Sequence, residues 1–297
     1  DFLKTVNIES VIIKACELVD NLEHQTSRRE SALLQDVLEA ESFYATLCEV
    51  LGLEALGSKL LGLAKRIRLE KLNKFASIEQ ARDMLFNIKT VGVRRILENI
   101  FGDKYDVSLV IGPDYSGECP AEVGEFAAQL PNGCLISGNY RLKTIGSLAD
   151  KLNRSNGDMP MDPFAMMDIS PDKQSSAKNF AEIVKILSNT PNIELQKAPS
   201  KKSALYIQGA GDYVEIMTQA LAEAGVDKSE IEIKQQTEAD IEKRGYKKME
   251  VSKVTFIVRQ EHPYQPGEIV DIPIEFQFLT IDERRRSRIG DIAHIAY

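Results

Sequence analysis

Residues 133–153, GCLISGNYRLKTIGSLADKLN, carry the transition on which the fold turns. GCLISGNYRL has the short alternating pattern of a strand, and IGSLADKLN has the spacing of an amphipathic helix. Downstream the same change recurs. PFAMMDI (163–169), ALYIQ (204–208), MEVSKVTFIV (249–258) and VDIPIEFQFL (270–279) read as strands, while AKNFAEIVKILSN (177–189) and DYVEIMTQALAEAG (212–225) read as helices. Such alternation implies helices packed on one sheet. Upstream, from Val11 to about Ile100, apolar residues recur at helical spacing, as in Ile12, Ala15, Leu18 and Val19. Gly52 and Gly57 are expected to separate helices there, with Gly62 tolerated inside one. Between the halves, VSLVIG (107–112) reads as a strand, PDYSGECPAE (113–122) as a loop and VGEFAAQL (123–130) as a short helix. The expected fold is therefore α+β, a helical region over residues 1–101 followed by a mixed sheet flanked by helices over residues 102–297.

Composition fits that division. A chain of 297 residues suits about two domains of roughly 150 residues each. With 43% hydrophobic and 28% charged residues it is ordinary for a globular protein, and no apolar run reaches the roughly 20 residues of a membrane-spanning helix. The first residues, DFLKTVNIES, lack a basic stretch leading into an apolar one, so a cytoplasmic protein is expected. DERRRSRIGDIAHIAY (282–297) reads as a helix without a cap, and the natural chain is expected to extend past one or both ends. The four cysteines, Cys16, Cys48, Cys119 and Cys134, are scattered, which favours reduced thiols over zinc or a disulfide framework. A net charge of -8 opposes broad nucleic-acid binding but leaves room for a local phosphate pocket.

The basic residues of the opening stretch suit such a pocket. With Arg141 and Lys143 on one strand face, Ser147 in the first turn of the helix and Lys151 one turn later, three cations and a hydroxyl converge at a helix N-terminus. Arginine can grip two phosphate oxygens, lysine adds point charge and the helix end adds free amides. The same spacing also fits a solvated basic helix face. Asp162 opens the strand DPFAMMDI, and Glu275 and Gln277 share one face of IPIEFQFLT, opposite Ile274, Phe276 and Phe278. Asp162 and Glu275 beside the basic loop would suit Mg²⁺, a hard cation that takes carboxylates plus substrate phosphates; a sheet with one solvated face is the plainer alternative. Tyr246, after Gly245 at a strand entrance, is placed to stack on a base or to cover the sheet edge. His294 in the last helix reads either as a core histidine or as an acid or base. Arg284, Arg285, Arg286 and Arg288 read as a solvated helix face, with Arg284 and Arg288 spaced to reach one phosphate.

In this order the pieces resemble the synthetase domain of the RelA/SpoT family, the enzymes that make (p)ppGpp. RLKTIGSLADK is similar to the family's R-x-K-x-x-x-S-x-x-x-K loop, DPFAMMDI to its Asp-led strand, and RGYKK to its G-Y turn. IEFQFLT followed by GDIAHIAY resembles its E-I-Q-x-R-T and G-x-A-A-H-x-x-Y ending. Upstream, ESFYATLCEVLGL (41–53) and VIIKACELVDNL (11–22) resemble the end of the hydrolase domain of long members, with Glu17 where the family has a metal-binding Asp.

The resemblance implies a nucleotidyltransferase-like sheet and a cytoplasmic pyrophosphokinase that moves the β,γ-pyrophosphate of Mg²⁺-bound ATP to the 3′-hydroxyl of GDP or GTP, releasing AMP. Arg141, Lys143, Ser147 and Lys151 would cradle the donor phosphates. Asp162 and Glu275 would hold Mg²⁺, Gln277 would orient the attacking hydroxyl, Tyr246 would stack on guanine and His294 would belong to the nucleotide site. A ribosome or a regulatory domain of a longer chain are the partners it implies. Positions 167 or 168, 248, 250 and 279 depart from the pattern: Met167 or Asp168 stands for an Arg, Lys248 for a Ser, Glu250 for a His and Leu279 for an Arg. The helical part lacks His-x-x-x-Asp and an adjacent His-Asp pair, with Gln35 before Asp36, so hydrolysis is not expected. A tRNA-directed pyrophosphokinase and a silent nucleotide-binding regulatory domain are the competing readings.

Overall fold

The computed structural model describes residues 7–109, 123–155, 158–236 and 249–289. The protein is α+β, with a helical N-terminal region and a mixed sheet flanked by helices. The helices are α1 (Ile8–Glu23), α2 (Glu30–Glu39), α3 (Ala45–Val50), α4 (Glu54–Lys71), α5 (Phe75–Val91), α6 (Val93–Phe101), α7 (Ile145–Arg154), α8 (Lys173–Asn189), α9 (Gly211–Glu223) and α10 (Ile281–Ile289). A π turn, Ala40–Tyr44, carries α2 into α3. The strands are β1 (Tyr105–Leu109), β2 (Val123–Gln129), β3 (Leu135–Leu142), β4 (Phe164–Ser170), β5 (Ile193–Leu195), β6 (Leu205–Gly209), β7 (Ile231–Gln235), β8 (Val251–Glu261) and β9 (Ile269–Thr280). Among the described residues no helix is long and apolar enough to cross a membrane.

Two compact units alternate along the chain. Among the described residues, the first comprises 7–83, 143–155 and 158, and the second 84–109, 123–142, 159–236 and 249–289. In the first, the Asn7 side chain caps α1 by accepting from the amides of Glu9 and Ser10, which satisfies donors a helix start leaves orphaned. The core then forms from one stripe of each helix: Ala15, Leu18 and Leu22 of α1 meet Leu60, Ala64 and Ile67 of α4, with Leu33 and Val37 of α2.

Gly52 closes α3 with φ +78, as expected of a helix-ending glycine. Gly57 does not separate helices. It lies buried inside α4, where a Cβ would meet the Ala45 carbonyl at 2.7 Å, so its small size serves helix contact. Gly62 is inside α4, as expected, facing Thr144 and Gly146 at the start of α7.

In the second unit the strand order is β1-β2-β3-β4-β9-β8-β6-β7, with β5 sharing the free half of the β8 edge. β4, β6, β7 and β9 run in one direction, since β4 pairs β9 and β6 pairs β7 in parallel while β8 lies antiparallel to both β6 and β9. One face is apolar. Phe164 and Met166 of β4, Ile274, Phe276 and Phe278 of β9, and Val254 and Phe256 of β8 are buried there, and α8 packs against β4, β8 and β9. Phe101 of α6 extends this layer by stacking on Phe126 of β2.

VGEFAAQL is strand, not helix: β2 pairs β1 on one side and β3 on the other through residues 123–129. The short apolar run fits both periods, and the hydrogen-bonding edges of its neighbours decide it. β5 and β7 also escaped the sequence reading.

Candidate functional site

The site grows from β9. Alternation over residues 274–278 buries Ile274, Phe276 and Phe278 and leaves Glu275 and Gln277 half-buried on the opposite face. Paired residues of adjacent strands share a face, so the ladder gives the neighbours of Glu275: Ala165 of β4 on one side and Thr255 of β8 on the other. Beyond Ala165 stands Arg141 of β3, exposed and in the same row. Two strand spacings put the Arg141 and Glu275 backbones about 10 Å apart, with only an alanine methyl between them. The next row holds Glu125, Asn139, Met167, Gln277 and Lys253, and continues to Tyr206 and Glu232. Arg141, Glu275 and Gln277 therefore share a polar sheet face, as the alternation of IPIEFQFLT predicted for its own two members.

On that face Glu275 Oε1 accepts from Lys253 Nζ at 3.4 Å and from Gln277 Nε2 at 2.5 Å. Lys253 is the residue sequence reasoning missed. Its partnership comes from the β8–β9 register, which nothing local to VSKVTFIV announces. Further along the face Lys201 Nζ lies 3.7 Å from the centre of the Tyr206 ring and 3.7 Å from Glu232 Oε1. The arrangement offers a carboxylate as base or cation ligand, an amide to orient a hydroxyl, and guanidinium and ammonium groups for anionic oxygens.

The other expected site residues are distributed as follows. Strand β3 ends at Leu142, so Lys143 is not on the strand with Arg141; it begins the segment of the helical unit that contains Ser147 and Lys151. In α7 the Thr144 hydroxyl accepts from the Ser147 amide at 3.2 Å, occupying one of the free amides expected for phosphate. Lys143, Ser147 and Lys151 are all half-buried. Asp150 is the anchor of this helix: its carboxylate meets Arg68 Nη2 at 2.8 Å, Arg154 Nη2 at 3.2 Å and Lys65 Nζ at 3.8 Å. Burial acts against the Arg68 charge, but hydrogen bonds to Asp150 and Glu41 outweigh it and raise its pKa.

Asp162 does not open β4. It lies before Pro163, outside the strand that begins at Phe164, three residues ahead of Ala165, the partner of Glu275. Tyr246, His294 and Lys248 lie outside the described residues. Met167 is half-buried beside Gln277 in the register, and Leu279 is fully buried. Among the described residues no three His, Cys, Asp or Glu side chains gather into a metal-holding group. As a hard oxygen donor, Glu275 suits magnesium, which commonly takes one or two carboxylates plus substrate oxygens.

A second polar cluster lies at the carboxyl ends of the parallel strands. Lys173, at the start of α8, donates to Asp212 at 2.9 Å and to Glu250 at 3.0 Å. The Glu250 amide donates to Glu283 Oε2 at 3.1 Å, and Arg286 Nη1 donates to Glu283 Oε1 at 2.9 Å. Burial pushes the Glu283 carboxyl up, against the pull of Arg286 and the Glu250 amide. Deeper, on the apolar face, Asp168 is fully buried and accepts from Ser170 Oγ at 2.6 Å, Asn179 Nδ2 at 3.2 Å and the Ser137 amide at 3.3 Å. Burial raises its pKa and these hydrogen bonds restrain the rise. Glu250 and Asp168, two of the departures from the family pattern, are thus bound into structural networks.

No family model matches the chain, and no curated protein matches it.

Proposed function

We propose that this protein is a pyrophosphokinase with a nucleotidyltransferase-like sheet, transferring the β,γ-pyrophosphate of ATP to the 3′-hydroxyl of GDP or GTP. The observation that carries the reading is the shared sheet face of Arg141, Glu275 and Gln277, with the small Ala165 as the residue between Arg141 and Glu275 in the ladder. Transfer of this kind depends on alignment and charge neutralisation, not on a covalent nucleophile, and this face supplies charge and hydrogen bonds. Arg141 would hold phosphate oxygens on this face. Glu275, with Asp162, would hold Mg²⁺ or accept the hydroxyl proton, and Gln277 would orient the hydroxyl. Labelled ATP incubated with Mg²⁺ and, separately, GDP, GTP and tRNA tests the proposal. A 3′-pyrophosphorylated guanine nucleotide with AMP is the expected outcome; a product on tRNA alone would move the reading to the tRNA-directed class.

A second reading, a silent nucleotide-binding regulatory domain, has its own observation in the Lys253–Glu275 ion pair. An ammonium group beside the carboxylate competes with a metal ion for it. Guanine nucleotide binding without any product in all three incubations supports this second reading.

A further inference from the structure

Strand β7 ends the sheet, with β6 on one side and, among the described residues, no strand on the other. The Gln236 amide donates to the Gly209 carbonyl at 2.9 Å, so Gln236 turns its backbone groups toward β6. Backbone groups alternate in direction along a strand, so Glu232 and Lys234 do the same, while Ile231, Ile233 and Gln235 aim theirs away from β6. The Ile231 amide is already used, donating to the Lys228 carbonyl in the turn before the strand. The carbonyls of Ile231 and Ile233 and the amides of Ile233 and Gln235 form the outer edge. Such an edge is commonly guarded by a lysine, and Lys234 is exposed on it. Glu232 lifts that guard for one partner, a second copy of the same strand.

The strand, IEIKQ, is complementary to itself. Laid antiparallel on its own copy with the two-fold axis at Ile233, it sets Glu232 opposite Lys234 and Lys234 opposite Glu232, as a two-fold interface requires. The backbone selects the same register. Ile233 at the axis has both its amide and its carbonyl outward and can exchange hydrogen bonds with its own copy, and each Gln235 amide meets the Ile231 carbonyl of the other chain. The charged pairs then fall at the non-hydrogen-bonded positions, where Cα atoms lie about 4.5 Å apart and side chains are closest. Moving the axis to either neighbouring residue sets Glu232 against Glu232 or Lys234 against Lys234. The Glu232 carboxylate is held in place, accepting from the Lys202 amide at 2.6 Å with Lys201 Nζ at 3.7 Å. At the opposite edge of the sheet, β1 (YDVSL) carries an acid and no base and has no such register.

We propose that the protein forms a two-fold dimer through β7, the strands of two copies pairing antiparallel about Ile233 so that one sheet continues through both chains. The contact is short, so the dimer dissociates on dilution. It stands apart from the transfer chemistry and is testable without it.

Sedimentation equilibrium of the whole chain over about two decades of micromolar concentration is the test. The wild type is expected to pass from monomer to dimer across that range. Lys234→Glu changes an exposed side chain, so melting should be unchanged, while the dimer dissociation constant should rise about tenfold or more because like charges now meet at both pairs. Ile233→Pro removes an outward amide and no bond to β6, a change that an edge strand accepts, and should abolish the dimer. In a mixture of Lys234→Glu and Glu232→Lys chains, each shown to be folded by melting, acid again faces base at both pairs. A heterodimer is expected there, although neither variant pairs with itself. A wild-type chain that stays monomeric throughout, a dimer of unchanged strength in folded Lys234→Glu and Ile233→Pro proteins, or a mixture no more associated than its separate components would overturn the assignment.

Discussion

Asp168 shows how a single residue sets a pH dependence. Its folded pKa is raised by burial, so the folded state holds the proton more tightly than the unfolded chain does. Its contribution to stability is therefore greatest below the ordinary carboxylate pKa and declines as pH rises through that value toward the folded one. Asp168→Asn should shrink this decline, leaving the part that the raised Glu283 carboxyl contributes in the same direction. Urea midpoints at a series of pH values from acid to neutral check this, and an identical slope in the variant would contradict it. Asp168→Ala, which removes the acceptor of Ser170 and Asn179, should cost about 1–3 kcal/mol. At Glu275 the contrast is between fold and chemistry. Glu275→Gln keeps shape and polarity on a half-buried face, so melting should barely move, while Mg²⁺-dependent turnover should fall about a thousandfold. Asp162→Asn should behave similarly if both carboxylates serve the metal, and full activity in that variant would remove Asp162 from the site.

Among the elements, α4 and α7 meet through glycine. A Cβ on Gly146 would lie 1.9 Å from the Gly62 carbonyl oxygen and 2.8 Å from the Arg66 amide, both backbone atoms that cannot turn aside. Alanine improves helix propensity by about 1 kcal/mol, but forced overpacking against backbone costs about 1–3 kcal/mol or more, so the clash wins. Gly146→Ala should lower the melting temperature, and an unchanged or higher one would show that α7 can shift without loss. The same elements show what could be read in the sequence. Long amphipathic helices such as α8 and α9, and alternating runs such as residues 274–278 of β9, declare themselves, because burial there follows from the local period. β2 was read as helix because its short apolar run, VGEFAAQL, fits either period and only pairing with β1 and β3 makes it a strand. Gly57 and Gly62 look alike in sequence, and the partner each approaches, Ala45 or Thr144, is distant in the chain.

For the whole molecule, the governing feature is a sheet with two unlike faces: one sealed by α8 and aromatic side chains, the other lined by Arg141, Glu275, Gln277, Lys253, Asn139 and Glu125. The common face of Glu275 and Gln277 was legible because it is local to one strand. The addition of Lys253 was not, since it depends on register between strands. The pyrophosphokinase proposal requires this face to be a reaction surface. The most direct measurement is the simultaneous yield of AMP and 3′-pyrophosphorylated guanine nucleotide from ATP and GDP, with and without Mg²⁺, in the wild-type chain and in Glu275→Gln. Equal yields of the two products that require Mg²⁺ and collapse in Glu275→Gln are the predicted result. No such product from the folded wild-type chain, or undiminished product in Glu275→Gln, would contradict it.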